Sequence, residues 1–161
     1  MEGSQVTIVV SVVGAVVGLI ALTVAWSQMR IASAKTKLDL YNKRFNVYLA
    51  ALEFYHYAYS NDRKDIREKA NKLTQAYRES KFLFDAEDGI YELLGQIQKG
   101  SAAVRASEEH KQKPGSDKDM AWKLLERSSD ALLKMHEDIL SLEEKLNKYL
   151  SFHNVRGWTI F

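Results

Sequence analysis

Residues 6 to 26 read VTIVVSVVGAVVGLIALTVAW, and no charged side chain interrupts them. At about 1.5 Å per residue a helix of this length reaches roughly 32 Å, one bilayer core crossed once. The start is acidic (Glu2) and the run is long, where a cleavable signal peptide has a basic start and a shorter apolar stretch, so the segment reads as an uncleaved anchor. Immediately beyond it come Arg30, Lys35, Lys37, Lys43 and Arg44 against Asp39 alone, while the other flank has no Lys or Arg. The positive-inside rule then places the N-terminus outside the cell and the rest of the chain in the cytoplasm. Trp26 stands where an interfacial indole sets helix depth. The layout expected is an extracytoplasmic tail (1–5), a transmembrane helix (6–28), a cytoplasmic helical bundle (29–153) and an aromatic C-terminal tail (154–161).

Within the apolar run, Ser11, Gly14, Gly18, Ala21 and Ala25 follow one another at steps of 3, 4, 3 and 4. They form a smooth stripe with a GxxxG at its centre, the pattern that lets two helix backbones approach closely in lipid. Self-association through this face is the expectation. No Asp, Glu, Lys, Arg or His lies at membrane depth, which argues against ion conduction or proton relay by the segment.

Outward from the anchor, Ala34, Leu38, Tyr41, Phe45, Tyr48, Leu52, Tyr55 and Tyr59 alternate steps of 4 and 3, so the first helix is expected to continue to about Tyr59. Ser60, Asn61 and Asp62 would supply the turn and the next N-cap. A second periodic stretch holds Ile66, Ala70, Leu73, Tyr77 and Phe84. A third holds Ile90, Leu94, Ile97 and Val104 and is expected to open at Glu87 and Asp88, where carboxylates favour a helix start. Lys113-Pro-Gly-Ser-Asp117 marks a loop. Beyond it Leu125, Ser128, Leu132, Met135, Ile139, Leu142, Leu146 and Tyr149 keep the helical rhythm. Four helices with short connections and no alternating stretch predict an all-α chain, an N-terminal transmembrane helix continuing into an antiparallel bundle of about four helices. Residues 31 to 150 should therefore fold as a soluble unit without the anchor. The last residues, through Trp158, Ile160 and Phe161, either pack on the bundle, lie on the membrane or bind another chain, with packing preferred.

Composition narrows the chemistry. The chain has 161 residues, one Pro and no Cys, which removes disulfides, thiolate metal sites and a cysteine nucleophile. The net charge is +2 with acids and bases interleaved in every helix, so no nucleic-acid stripe forms. For the basic cluster after the anchor, anionic lipid is the nearer partner, and a role in setting topology alone is the other reading. No phosphate-binding, dinucleotide, hydrolase-elbow or zincin motif occurs, and neither a cofactor nor a metal is expected. Glu53 and His56 make an E-x-x-H, but a di-iron centre needs a second such pair and further glutamates, which the other histidines do not provide. His136 and Glu137, adjacent on a helix, point about 100° apart and make a poor acid–base pair.

Lys37 to Ala50 (KLDLYNKRFNVYLA), Phe82-Leu-Phe84 ahead of an apolar helix, and Lys148-Tyr-Leu150 resemble a bacterial family of small single-pass membrane proteins with a KLxLDLFDKRFxVYEA-like juxtamembrane motif and no assigned activity. Leu49 stands where that motif commonly has Glu. The resemblance implies a bacterial inner membrane and a helical cytoplasmic domain. In the motif itself, Asp39 and Lys43 form an i,i+4 acid–base pair, and Arg44 is placed to reach a carboxylate of a packed neighbour such as Asp85 or Glu87. The functional expectation is a homo-oligomeric, membrane-anchored interaction or scaffold protein without catalytic activity, with an unidentified protein partner. The alternative is an effector or sensor subunit of a bacterial defence or stress system.

Overall fold

A computed structural model describes residues 2–60, 63–113 and 117–151 of the chain. It is all-α: α1 (Glu2–Ala58), α2 (Ile66–Leu83), α3 (Ile90–Lys111) and α4 (Lys118–Leu150), with a short 3₁₀ turn at Ala86–Asp88 and no strand among the described residues. Two compact units divide at Leu40 and Tyr41.

The first unit is the early part of α1. From Val10 onward its side chains are exposed, and its most apolar stretch has a mean hydropathy of 2.2 with none of it buried. It is long and apolar enough to cross a membrane.

The second unit is an antiparallel bundle built from the later part of α1 and the three helices after it. Its core joins Val47, Ala51, Phe54 and Ala58 of α1 to Ile66, Ala70 and Leu73 of α2, Ile90, Leu94 and Ile97 of α3, and Met135, Ile139, Leu142 and Leu146 of α4. The α1 line sits one residue, about 100°, away from the stripe expected from sequence. Tyr48, Leu52 and Tyr55 are only half-buried, and Phe45 and Tyr59 are exposed. The reason is the phenol: a tyrosine keeps its hydroxyl near a partner at the edge of a core, which leaves the interior line to Val, Ala and Phe.

The helix ends also depart from expectation. α3 begins at Ile90, not at Glu87 and Asp88, which form the 3₁₀ turn; Gly89 then takes a left-handed φ of 65° and serves as its N-cap. That conformation suits glycine and breaks the helical path, so the carboxylates precede the helix instead of opening it. α2 is preceded by Asp65 at its N-cap position, while Asn61 and Asp62 lie outside the described residues. α4 follows Asp117, whose side chain caps it by accepting a hydrogen bond from the Asp119 N–H at 3.0 Å. The aromatic tail after Ser151 lies outside the described residues. Two glycines of α3 allow close approach on opposite sides: a Cβ at Gly95 would lie 3.3 Å from the Tyr77 ring of α2, and one at Gly100 would lie 3.3 Å from the Met135 methyl of α4.

Candidate functional site

Ser11, Gly14, Gly18, Ala21 and Ala25 all fall on one exposed face of α1 within the first unit. Nothing lies within 4 Å of where a Cβ would stand at Gly14 or Gly18, so the stripe is open along its centre. The Thr23 hydroxyl donates back to the Ile20 carbonyl at 2.7 Å, which satisfies it within its own helix. Trp26 is exposed, with the Arg30 guanidinium 5.7 Å from its ring centroid. Lys35, Lys37 and Lys43 are exposed along the following turns.

Arg44 behaves differently from those lysines. It is half-buried in the second unit, its Nε donates to the Leu83 carbonyl at the end of α2 at 2.9 Å, and its guanidinium lies 4.4 Å from the Tyr149 ring centroid and 5.9 Å from that of Phe84. The partner is thus a helix C-terminal carbonyl and two ring faces, where a carboxylate of Asp85 or Glu87 was expected. The last carbonyls of a helix carry partial negative charge and need donors, which an arginine fork supplies.

Around Arg44 the end of the bundle forms a connected polar cluster. The Tyr149 hydroxyl lies 2.9 Å from Asp85 Oδ2, is in short contact with Asp88 Oδ2, and accepts from the Asp85 N–H at 3.1 Å. It has one proton and two carboxylates to share it between. Lys148 Nζ donates to Asp88 Oδ1 at 2.8 Å and stands 3.8 Å from Asp85, while Lys145 Nζ donates to the Asp88 carbonyl at 2.8 Å. The Lys148 ammonium and then the Tyr149 hydroxyl hold the Asp88 carboxyl below its ordinary range. In return Asp88 raises Lys148, and burial together with Asp88 raises Tyr149. Arg44, Phe84 and Tyr149, which stand far apart in the sequence, meet in this cluster.

From the cluster a line of hydroxyl contacts runs along α1 and α4. Tyr48 donates to Glu143 at 2.7 Å, Tyr55 and His136 Nδ1 share a hydrogen bond of 2.8 Å, and Tyr59 donates to the Leu132 carbonyl at 3.3 Å. Burial and then Glu143 push the Tyr48 phenol up to about 12. The sequence spacing places these tyrosines on one helix face but not beside Glu143, His136 or Leu132, each of which lies far along the chain.

Glu53 is engaged by Lys69 Nζ at 3.1 Å, so half of the E-x-x-H pair serves to join α1 to α2. No group of three or more metal-ligating side chains converges among the described residues. Between α3 and α4 a depression of about 370 Å³ is lined by Gln96, Lys99, Gly100, Lys134, Met135 and Asp138, among others. Asp138 is 8% exposed, and burial pushes its carboxyl up despite Lys134 one turn away. Comparison of the chain with family models, curated proteins and solved structures finds no match.

Proposed function

We propose that this chain is a single-pass membrane protein whose cytoplasmic helical bundle serves as an interaction or scaffold module without catalytic activity, and that it self-associates through the small-residue stripe of α1. One observation carries the reading: a single helix supplies an unburied apolar stretch in its first part and core residues Val47, Ala51, Phe54 and Ala58 in its second. An apolar stretch of that length left bare in water is a long exposed patch; in lipid it is at its proper address. The basic residues Arg30, Lys35, Lys37, Lys43 and Arg44 support an N-terminus outside and a bundle in the cytoplasm of a bacterial inner membrane.

Membrane residence is tested by carbonate extraction of cell membranes, where the chain should stay in the pellet and a fragment starting at Tyr41 should not. Orientation is tested by a reporter after Phe161: alkaline phosphatase activity from that fusion reverses the topology. The stripe is tested by replacing Gly14 and Gly18 with Leu, which should weaken pairing in a membrane two-hybrid assay, since bulky side chains prevent close backbone approach. Pairing that survives both substitutions moves association elsewhere.

A further inference from the structure

The depression between α3 and α4 contains a carboxylate that the packing of the two helices does not need. Gly100, Ala103 and Ala131 are short enough to leave the space open, and with Met135 they give it an apolar part. The Gly100 backbone comes close to Ala131 and to the Met135 methyl there, so the two helices are in contact beneath it. Asp138 and Gln96 line the same depression. Asp138 is more than nine-tenths buried, yet no hydrogen-bond or ion-pair partner for it occurs among the described residues. Lys134 stands one turn before it, the order in which a helical acid–base pair engages less well. Lys99 and Lys134 line the depression as exposed side chains, and neither forms an ion pair among the described residues. A buried charge left without a partner opposes folding, so a neutral side chain would serve α4 better at this position.

We propose that this depression binds a small zwitterion with an aliphatic side chain, the chemistry of an α-amino acid. Asp138 and the Gln96 amide oxygen accept from its ammonium, Lys99 and Lys134 donate to its carboxylate, and its side chain lies along Gly100, Ala103 and Ala131. Charge selects this class. A simple cation would meet two ammonium groups on the way to Asp138, and a simple anion would meet the carboxylate between them; a molecule carrying both signs satisfies all three. Size agrees, since the space of about 370 Å³ falls in the range of about 300 to 1,000 Å³ typical of small-molecule clefts. The arrangement of a few charged groups around an apolar patch is also what such clefts use to fix orientation. Both helices belong to the second unit, so this ligand site goes beyond the scaffold reading and stands or falls apart from the membrane anchor.

The glycines of α3 report on the site directly. In the full chain, labelled with ¹⁵N-glycine and held in mild detergent, L-leucine, L-valine and L-methionine are titrated to about 10 mM, a range that detects weak binding. The Gly100 amide resonance, identified by its loss in Gly100→Ala, should shift saturably with at least one of them, while that of Gly95, on the opposite side of α3, should stay in place. Asp138→Asn removes the charge at constant shape and should weaken binding by about ten-fold or more. Ala103→Leu, which fills the apolar part and leaves every charge, should abolish it. On the unaltered chain, isocaproate and isoamylamine, which are leucine without its ammonium and without its carboxylate, should each bind about ten-fold more weakly than leucine or worse. A Gly100 resonance unmoved by all three amino acids would leave Asp138 to water and overturn the proposal. Binding that Asp138→Asn does not weaken would overturn it too, as would isoamylamine or isocaproate binding as well as leucine.

Discussion

Tyr149 concentrates more interactions than any neighbour at its end of the bundle, and its replacement shows what each is worth. Tyr149→Phe keeps the ring under Arg44 but removes the hydroxyl that serves Asp85 and Asp88, so a loss of about 1 kcal/mol is expected in a urea melt. The acid limb carries a separate signature. Because Lys148 and Tyr149 lower the Asp88 carboxyl in the folded state, its stabilising contribution is complete above the unfolded carboxylate value of about 3.9 and disappears as pH falls through the lower folded value. Lys148→Met should therefore shift the acid-unfolding midpoint upward. Asp138 has the opposite sign. Its folded value is raised by burial, so the ionised form opposes folding above the unfolded range and not below it. Asp138→Asn should raise the melting temperature at neutral pH, by about 1 kcal/mol of stability, with the gain vanishing below pH of about 3.9. A gain independent of pH would point to packing instead of charge. None of these partnerships was legible in the sequence, since Arg44, Asp88 and Tyr149 stand far apart in it and only folding brings them together.

Along the elements, periodicity was enough to find all four helices and its phase was not. Counting Tyr as apolar moved the α1 stripe by one residue, because the tyrosines outnumber Val47, Ala51 and Ala58 and mask the smaller side chains that line the core. The late start of α3 has a readable sign in Gly89, which stands between the acidic pair and Ile90. Glycines inside α3 allow a sharper test. Alanine at a helix interior is favoured over glycine by about 1 kcal/mol. At Gly100 the new methyl meets the flexible end of Met135, so Gly100→Ala should raise the melting temperature. At Gly95 it meets the Tyr77 ring, held by stacking on Tyr91 at 4.7 Å and by a 2.8 Å hydroxyl bond to it. That ring has little room to give, and Gly95→Ala should lower the melting temperature. Equal gains at both sites would show the tyrosine pair to be free to move.

For the molecule as a whole, the compact second unit starts at Tyr41, and a fragment of residues 41 to 151 contains every core residue. It should be soluble and strongly helical by circular dichroism and should melt cooperatively; a gradual, non-cooperative melt would mean that the core depends on residues before Tyr41. The all-α class followed from sequence because apolar spacing is a local property, whereas the polar contacts between α1 and α4 depend on the fold being complete. Those contacts add to what the core does. Phe54 is a single large side chain among the smaller Val47, Ala51 and Ala58, and its packing already opposes α1 sliding along α4 by a turn. Tyr48 with Glu143, Tyr55 with His136 and Tyr59 with the Leu132 carbonyl would all be lost together in such a slip. The hydroxyls therefore reinforce the register that Phe54 begins to set, and α1 is held against α4 in one alignment rather than several.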